Sequence, residues 1–138
     1  MSLELVQKAL IAKLQADFPS WMATRVEWEN VAFTPPPTQA WFKVTFMPAE
    51  EAVDTLGPLG CDLAQGLFQV TVHIPSGIGE ATVRQTINEL RDCYKPGSLV
   101  NGGQVVTVLS RTRSQGRQTN NFFAIAFTVR WKAQLSRN

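Results

Sequence analysis

The sequence predicts an α+β fold: a single domain in which two helices cover one face of a mainly antiparallel sheet of about five strands. Two stretches carry apolar residues at helical spacing and five carry them at roughly alternate positions, in the order α-β-β-β-α-β-β. Helices with one apolar side need a sheet face to cover. The chain has 138 residues, enough to bury one core. The domain is expected to span residues 1–133, with residues 134–138 as a flexible tail.

The first helix is predicted from the start of the chain to Pro19, which ends it. Ser2 is placed to cap the helix, and Glu4 brings negative charge to its positive end. The apolar stripe recurs every three or four residues, at Leu3, Val6, Leu10 and Leu14.

Three strands are predicted next, at residues 25–33, 41–47 and 66–74. The alternation is clearest in the third, whose buried set is Phe68, Val70, Val72 and Ile74. The run from Pro35 to Pro37 favours a stiff connection, with a short polyproline ligand as the alternative. Pro48 is expected to stop the second strand, and residues 48–65 to form a long acidic connection that is mobile or has a role.

The second helix is predicted from Gly79 to Tyr94, and Pro96-Gly97 marks its end. Its apolar stripe consists of Val83, Ile87, Leu90 and Tyr94. The last two strands are predicted at residues 104–112 and 122–132, joined by a solvated polar tip. Small residues on the second face of the last strand indicate that another element, such as a helix, packs closely there.

The net charge of +2 is unevenly distributed along the chain. Residues 1–92 carry six Lys/Arg and eleven Asp/Glu, whereas residues 93–138 carry seven Lys/Arg and no acid. Such a split is typical of a basic face for nucleic acid, or of one edge of a subunit that meets the opposite edge of a neighbour. A third interpretation is that the fold places acids beside bases and the charges cancel.

The residue types offer little catalytic chemistry, so we expect no enzyme and no cofactor. His73 is the sole histidine, and a surface or interface position is favoured over a role as a catalytic base. One histidine and two distant cysteines do not make a zinc site. Glu50 and Glu51 are interpreted as solvated loop residues, with a divalent cation held together with Asp54 as the alternative. Gly77-Ile78-Gly79 is interpreted as a strand-to-helix turn, with an anion at the helix start as the alternative.

Cys61 and Cys93 lack metal spacing and are expected to be free thiols of a cytoplasmic protein. The start of the chain lacks the pattern of a secretory signal. The longest apolar run, Phe122 to Phe127, is far short of the ~20 residues that a membrane span needs. No membrane partner is therefore expected.

Three arginines cluster in the polar tip at residues 111–121: Arg111, Arg113 and Arg117. A basic tip with neighbouring aromatic residues would suit nucleic acid. The aromatic residues, however, occupy strand positions that a core needs, and none alternates with the arginines. Arginine is also favoured at protein interfaces, so the tip suits a protein partner equally well.

Several short motifs, in order along the chain, resemble a known protein family. They are Glu29-Asn30-Val31-Ala32-Phe33-Thr34-Pro35-Pro36, Trp41-Phe42-Lys43-Val44, Leu56-Gly57, Gly66-Leu67-Phe68-Gln69-Val70-Thr71-Val72 and Ile74-Pro75-Ser76-Gly77. As a set they resemble the small tail-terminator and tail-completion proteins of long-tailed bacteriophages, the group that includes the minor tail protein U type. None of these motifs is a catalytic signature.

The resemblance implies a structural virion protein that forms a homohexameric ring on the last ring of the tail tube. Its partners would be further copies of itself, the major tail tube protein and the head–tail connector protein, with DNA only as cargo through the lumen. It would stop polymerisation of the tube and provide the surface to which the head attaches. A head-completion or neck protein of the same virion, of a phage or prophage, and a small nucleic-acid-binding domain are the alternatives.

The uneven charge suggests how such a ring would be joined. Our hypothesis is that acids of one subunit face Arg111, Arg113 or Arg117 of the next subunit. The acids are those at residues 27–29 or in the predicted connection, namely Glu50, Glu51, Asp54 and Asp62. A contact between two different patches closes a ring when the rotation between subunits allows it. Alternatively, the basic residues would line the lumen through which DNA passes.

Overall fold

The structure is a computed structural model that describes residues 3–22, 25–29, 31–36, 39–53, 56–58, 60–75, 80–101, 104–119 and 122–136. It contains two helices, α1 (Leu3–Asp17) and α2 (Glu80–Cys93), and a single 3-10 turn at Pro19–Trp21 in the described part of the chain. The strands are β1 (Val26–Glu27), β2 (Trp41–Val53), β3 (Cys61–Pro75), β4 (Gly97–Asn101), β5 (Gln104–Arg113), β6 (Arg117–Thr119) and β7 (Phe122–Ser136).

These seven strands form one open sheet in the order β1-β2-β3-β7-β5-β4, and β6 pairs with the start of β7. The described pairings are antiparallel except β1 with β2, which is parallel. The α+β class and the mainly antiparallel sheet are therefore confirmed. The predicted count of five strands is wrong, because two short strands were missed.

Both helices lie on one face of the sheet, which we call the inner face. Antiparallel partners share a face, so Phe42, Phe68 and their paired neighbours point the same way. The ring of Tyr94, just after α2, packs against Phe68, and its hydroxyl donates a 2.6 Å hydrogen bond to the carbonyl of Leu10 in α1. Phe18, just after α1, packs edge-on against Phe42. This single core ties both helices to β2 and β3.

The predicted helical stripes are confirmed in large part. Val6, Leu10 and Leu14 of α1 are fully buried, whereas Leu3 is half-buried at the rim of the core. The α2 stripe of Val83, Ile87, Leu90 and Tyr94 is buried throughout. Ser2 and residues 77–79 lie outside the described residues, so their assigned roles stay predictions.

The prediction that Pro48 ends the second strand is wrong. β2 continues to Val53, with a bulge between Pro48 and Glu50, and its second half pairs with β3. The N–H of Phe46 points away from β3, where it donates to the Glu29 carboxylate. Pro48, two residues further, has the same orientation, so its missing N–H would point to the free edge rather than into the ladder. Most of the predicted connection 48–65 is therefore a hairpin.

The first predicted strand, residues 25–33, is reduced to two residues. The backbone N–H of Phe42 donates to the carbonyl of Arg25, and this short pairing is parallel. The described pairing with β2 ends at Glu27, and a turn follows in which the Val31 N–H donates to the Trp28 carbonyl. The Glu29 carboxylate accepts from Phe46 where a longer β1 would have offered a backbone carbonyl.

The end of the chain is more ordered than the predicted tail implies. β7 pairs with β3 as far as Ser136, beyond the predicted strand end at 132. Leu135 is only 6% exposed because it lies on the inner face with the core. Placing residues 134–136 in a frayed tail is therefore wrong.

Two short strands, β4 and β6, were not predicted. β4 pairs with β5 in a register that leaves two residues between Asn101 and Gln104. These two residues, Gly102-Gly103, are a standard hairpin signal and would have found it. β6 has three polar residues and pairs only with Phe122 to Ala124, so no apolar alternation marks it.

Candidate interaction surfaces

The acidic residues of the predicted connection lie at an exposed end of the sheet. We call residues 48–53 of β2, with residues 56–58 beyond them, the acidic arm. Its described residues, including Glu50 and Glu51, are exposed. Asp62 is half-buried opposite Val53 in β3, and Asp54 lies outside the described residues. Glu50, Glu51 and Asp62 are thus brought to one end of one hairpin.

The acidic arm also exposes two aliphatic side chains. Val53 is 64% exposed and Leu56 is 89% exposed, the largest value among the exposed large hydrophobic residues of the described chain. Sequence reasoning missed both, because it assigned them to a solvated loop. The sequence offers no clear signal for them, because single exposed aliphatic residues are common on protein surfaces.

The three arginines do not share one surface. Arg111 pairs with Val129 and Arg113 with Phe127, so both lie on the inner face, beside α2. Arg117 pairs with Ala124, which belongs to the opposite, outer face. Sequence proximity grouped them, but the turn between β5 and β6 and the alternation of the strands separate Arg117 from the other two.

Arg111 has a structural role within its own chain. Its Nη1 donates a 2.7 Å hydrogen bond to the carbonyl of Arg91, in the last turn of α2. Carbonyls of the last helical turn lack intrahelical partners, and positive charge near them is favourable. Arg113 and Arg117, in contrast, are exposed and form no ion pair among the described residues.

The acids at residues 27–29 are engaged within the chain. Glu27 forms a 3.7 Å ion pair with Lys43, and the Glu29 carboxylate accepts from the Phe46 backbone. Both contacts anchor the β1 segment to the edge of β2. These acids are therefore less suited than Glu50 and Glu51 to meet another subunit.

The acidic arm and the basic tip lie at opposite ends of the sheet. Along β7, the partner of Arg117 is Ala124 and the residue level with Asp62 is Leu135. These positions are eleven residues apart, which corresponds to about 36 Å of extended strand. The acids of the arm and the arginines of the tip therefore do not lie side by side within one chain.

The outer face carries no helix in the described part of the chain, so the expected helix against Ala124 and Ala126 is not found there. These residues are half-buried, beside Thr71 and Thr128 of their own sheet. Arg117, Arg130 and Lys132 of the same face are exposed. This part of the outer face thus carries small side chains with basic ones at several points.

His73 lies on the outer face but is not an open surface side chain. Its ring stacks on Trp41 at 3.9 Å with an interplanar angle of 4°, and Phe33 and Phe122 pack around Trp41. The Nε2 atom is buried and, among the described residues, finds no hydrogen-bond partner. Burial, and to a lesser extent the charge of Lys43, lowers the pKa of His73 to about 4. A neutral, stacked imidazole of this kind stabilises the fold.

The cysteines are both free thiols. Cys93 is buried, its sulfur lies 3.6 Å from the carbonyl of Lys13, and burial raises the pKa of its thiol well above the ordinary value. Across the described ranges, no group of three or more His, Cys, Asp or Glu side chains is arranged to hold a metal ion. A helix with the length and apolar character for a membrane crossing is absent from the residues described.

The distinctive features of the fold are the charged surfaces at the two ends of its sheet. The chain matches the family described as phage tail terminator protein over residues 5–131, and it belongs to that family. A solved structure that carries no functional description superposes with a TM-score of 0.77 at 24% sequence identity, covering 98% of this chain and 97% of the other. That likeness shows the fold alone. A comparison with curated protein sequences finds no match.

The resemblance drawn from the sequence is therefore confirmed at the level of the family. Membership makes the chain a structural component of the phage virion tail.

Proposed function

We propose that this chain is the subunit of a six-membered ring that caps the tail tube, stops its polymerisation and offers its free side to the head-side connector. Family membership supports the tail role. The observation that carries the ring is the placement of the acidic arm and the basic tip at opposite ends of one rigid sheet. Two different, complementary patches on one subunit produce head-to-tail association, which closes when the rotation allows.

The proposed contact joins Glu50, Glu51 and Asp62 of one subunit to arginines of the next. Arg113 is the best-placed arginine, since it is exposed and unpaired within the described chain. Arg111 contributes mainly by holding the end of α2. Arg117 faces the other side of the sheet, where it would meet the lumen rather than the neighbour.

The outer face supports passage of DNA as cargo. Because the helices cover the inner face, the outer face is the free surface that a ring could turn toward its axis. Arg117, Arg130 and Lys132 would then attract the DNA backbone without reading its sequence. Assembly in the host cytoplasm, before the head joins, is part of the same proposal.

The function is tested by electron microscopy of particles made by the encoding phage without this gene. We expect tails of uncontrolled length that lack heads, with normal length restored by the wild-type gene supplied in trans. Tails of normal length that merely lack heads would contradict the terminator role and favour a head-completion or neck protein.

The ring is tested by light scattering of the purified protein over a range of concentrations and at two salt levels. We expect a species of about six times the 15.3 kDa subunit mass, weakened by added salt because opposite charges join it. The variant Arg113→Glu should reduce this species, whereas Arg117→Glu, its matched control on the outer face, should leave it intact. Equal assembly of wild type and Arg113→Glu would refute the proposed contact.

A further inference from the structure

A groove lies on the inner face between α2 and the second half of β5. Its volume is about 290 Å³, roughly twice that of a cavity able to hold a benzene molecule. Ile87 and Phe127 form its apolar floor and are almost fully covered, and Arg91, Arg111 and Arg113 supply positive charge around it. A smaller cavity of about 130 Å³ shares Arg113 and adds Arg84.

The groove exists because β4 is too short to cover β5. β4 pairs with β5 only as far as Val108, where the pairing of β5 with β7 has a bulge, and α1 packs against β4 and β5 rather than over the groove. Beyond this point β5 is an edge strand as far as Arg113. No described element fills the space between this edge and α2.

Four arginines surround a partly apolar cleft with few acids to balance them. Arg84, Arg91, Arg111 and Arg113 form no ion pair within the described chain. The nearby α2 carboxylate of Glu89 accepts from Gln85 on the same helix and does not line the groove. The groove therefore suits a ligand that is aliphatic at its centre and acidic at its margin.

The acidic arm has this chemistry. Val53 and Leu56 are exposed aliphatic residues, and Glu50 and Glu51 are exposed acids a few residues before them. The arm cannot reach the groove of its own subunit. Val53 is level with Leu135 of β7, eight residues or about 26 Å along the strand from Phe127 in the groove, and β2 is two strands away from β7.

We propose that the acidic arm of one subunit docks into the α2–β5 groove of the next copy, with Val53 and Leu56 over its floor and Glu51, which shares a face of β2 with Val53, beside Arg91 and Arg113. This inference rests on the proposed ring and names the surfaces that join it. Covering the exposed side chains of Val53 and Leu56 provides affinity, and the flanking charges fix which ends meet.

The docking is tested by disulfide cross-linking of assembled tails. Leu56→Cys is combined with Asn88→Cys, which lines the groove, in a Cys61→Ser background. Oxidation should link neighbouring subunits into ladders of up to six chains, and each single variant should give none. The matched control pairs Leu56→Cys with Arg117→Cys on the outer face, and it should not cross-link. Ladders from the control pair, or none from the Asn88 pair, would overturn the docking.

A second test does not require the cysteine variants to assemble. Leu56→Asp should weaken subunit association by about tenfold or more, the amount that full burial of a leucine contributes, without changing the unfolding curve of the monomer. Glu51→Arg and Arg113→Glu should each impair tail-length control, and together they should restore it. If neither single variant impairs length control, while deletion of the gene does, the docking is wrong and the terminator role stands. Normal tails without the gene would instead refute the proposed function itself.

Discussion

The two halves of β2 differ in almost every property except their hydrogen-bonded ladder. The first half contributes Trp41, Phe42 and Val44 to buried positions, whereas residues 48–53 are exposed. Both halves pair with β3, and the register shifts by one residue at the bulge between them. Strand pairing therefore sets the geometry of the whole hairpin, while coverage by other elements decides which half stabilises the fold and which half is free to bind.

Gly66 marks the boundary between the halves. It pairs with Pro48 on one side and Trp131 on the other, and it has no side chain to occupy the inner face. Trp131 fills that space and stacks on Phe46 with ring centroids 5.4 Å apart. The last buried ring of the core is thus placed directly against the start of the acidic arm.

The largest effect on stability is expected from a substitution in the buried half of β2. Phe42 is fully buried between Phe18 and Trp21, with a ring separation of 4.1 Å to the tryptophan. Phe42→Ala should lower the free energy of unfolding by about 3–5 kcal/mol, because a large cavity replaces the ring. Urea denaturation followed by tryptophan fluorescence measures this. Phe42→Leu should cost less, and equal stability of wild type and Phe42→Ala would contradict the comparison.

An intermediate effect on stability is expected at Gly66, the boundary between the two halves of β2. A Cβ on Gly66 would lie 2.5 Å from the Met47 carbonyl oxygen and 2.8 Å from the Trp131 ring. Gly66→Ala should therefore cost about 1–3 kcal/mol through overpacking, measured by the same denaturation. Leu67→Ala, at the adjacent half-exposed position, should cost clearly less. The reverse order would show that the boundary tolerates a side chain.

The stability of the chain is expected to depend on pH through His73, which stacks on Trp41. The pKa of His73 is about 4 in the folded chain against 6.5 when unperturbed, because burial disfavours the imidazolium. Between these values the unfolded chain binds more protons, so stability is full above about pH 6.5 and falls as the pH drops toward 4. His73→Phe keeps a stacked ring and should flatten the slope between pH 7 and 5, while parallel curves would show that His73 does not titrate differently on folding.

The smallest effect on stability is expected in the acidic arm. Glu51→Gln and Val53→Ser should change the free energy of unfolding by no more than about 0.5 kcal/mol, since both side chains are exposed. The same variants should impair ring assembly measured by light scattering. A large loss of stability would show instead that the arm belongs to the core.

Features that depend on local periodicity could be predicted from the sequence. The stripes at Leu10 and Leu14, and at Ile87 and Leu90, predicted which side of each helix is buried, since helical spacing leaves one arrangement for a continuous apolar face. The alternation from Phe68 to Ile74 predicted the central strand for the same reason. Ordered motifs carried the family resemblance, which family membership over residues 5–131 confirms.

Features that depend on neighbours distant in sequence could not be predicted, because those contacts form only when the chain folds. Pro48 does not end β2, because this part of β2 lies at the edge of the sheet. The N–H that proline lacks would point away from the β3 ladder there. Arg113 and Arg117 are four residues apart but face opposite sides of the sheet. They pair with Phe127 and Ala124 of β7, which are three residues apart and therefore lie on opposite faces. His73 is covered because Trp41, thirty-two residues earlier, is its partner in the register. Periodicity indicates which side of a helix or strand is apolar. Which residues pack against the opposite side is determined only when distant strands pair.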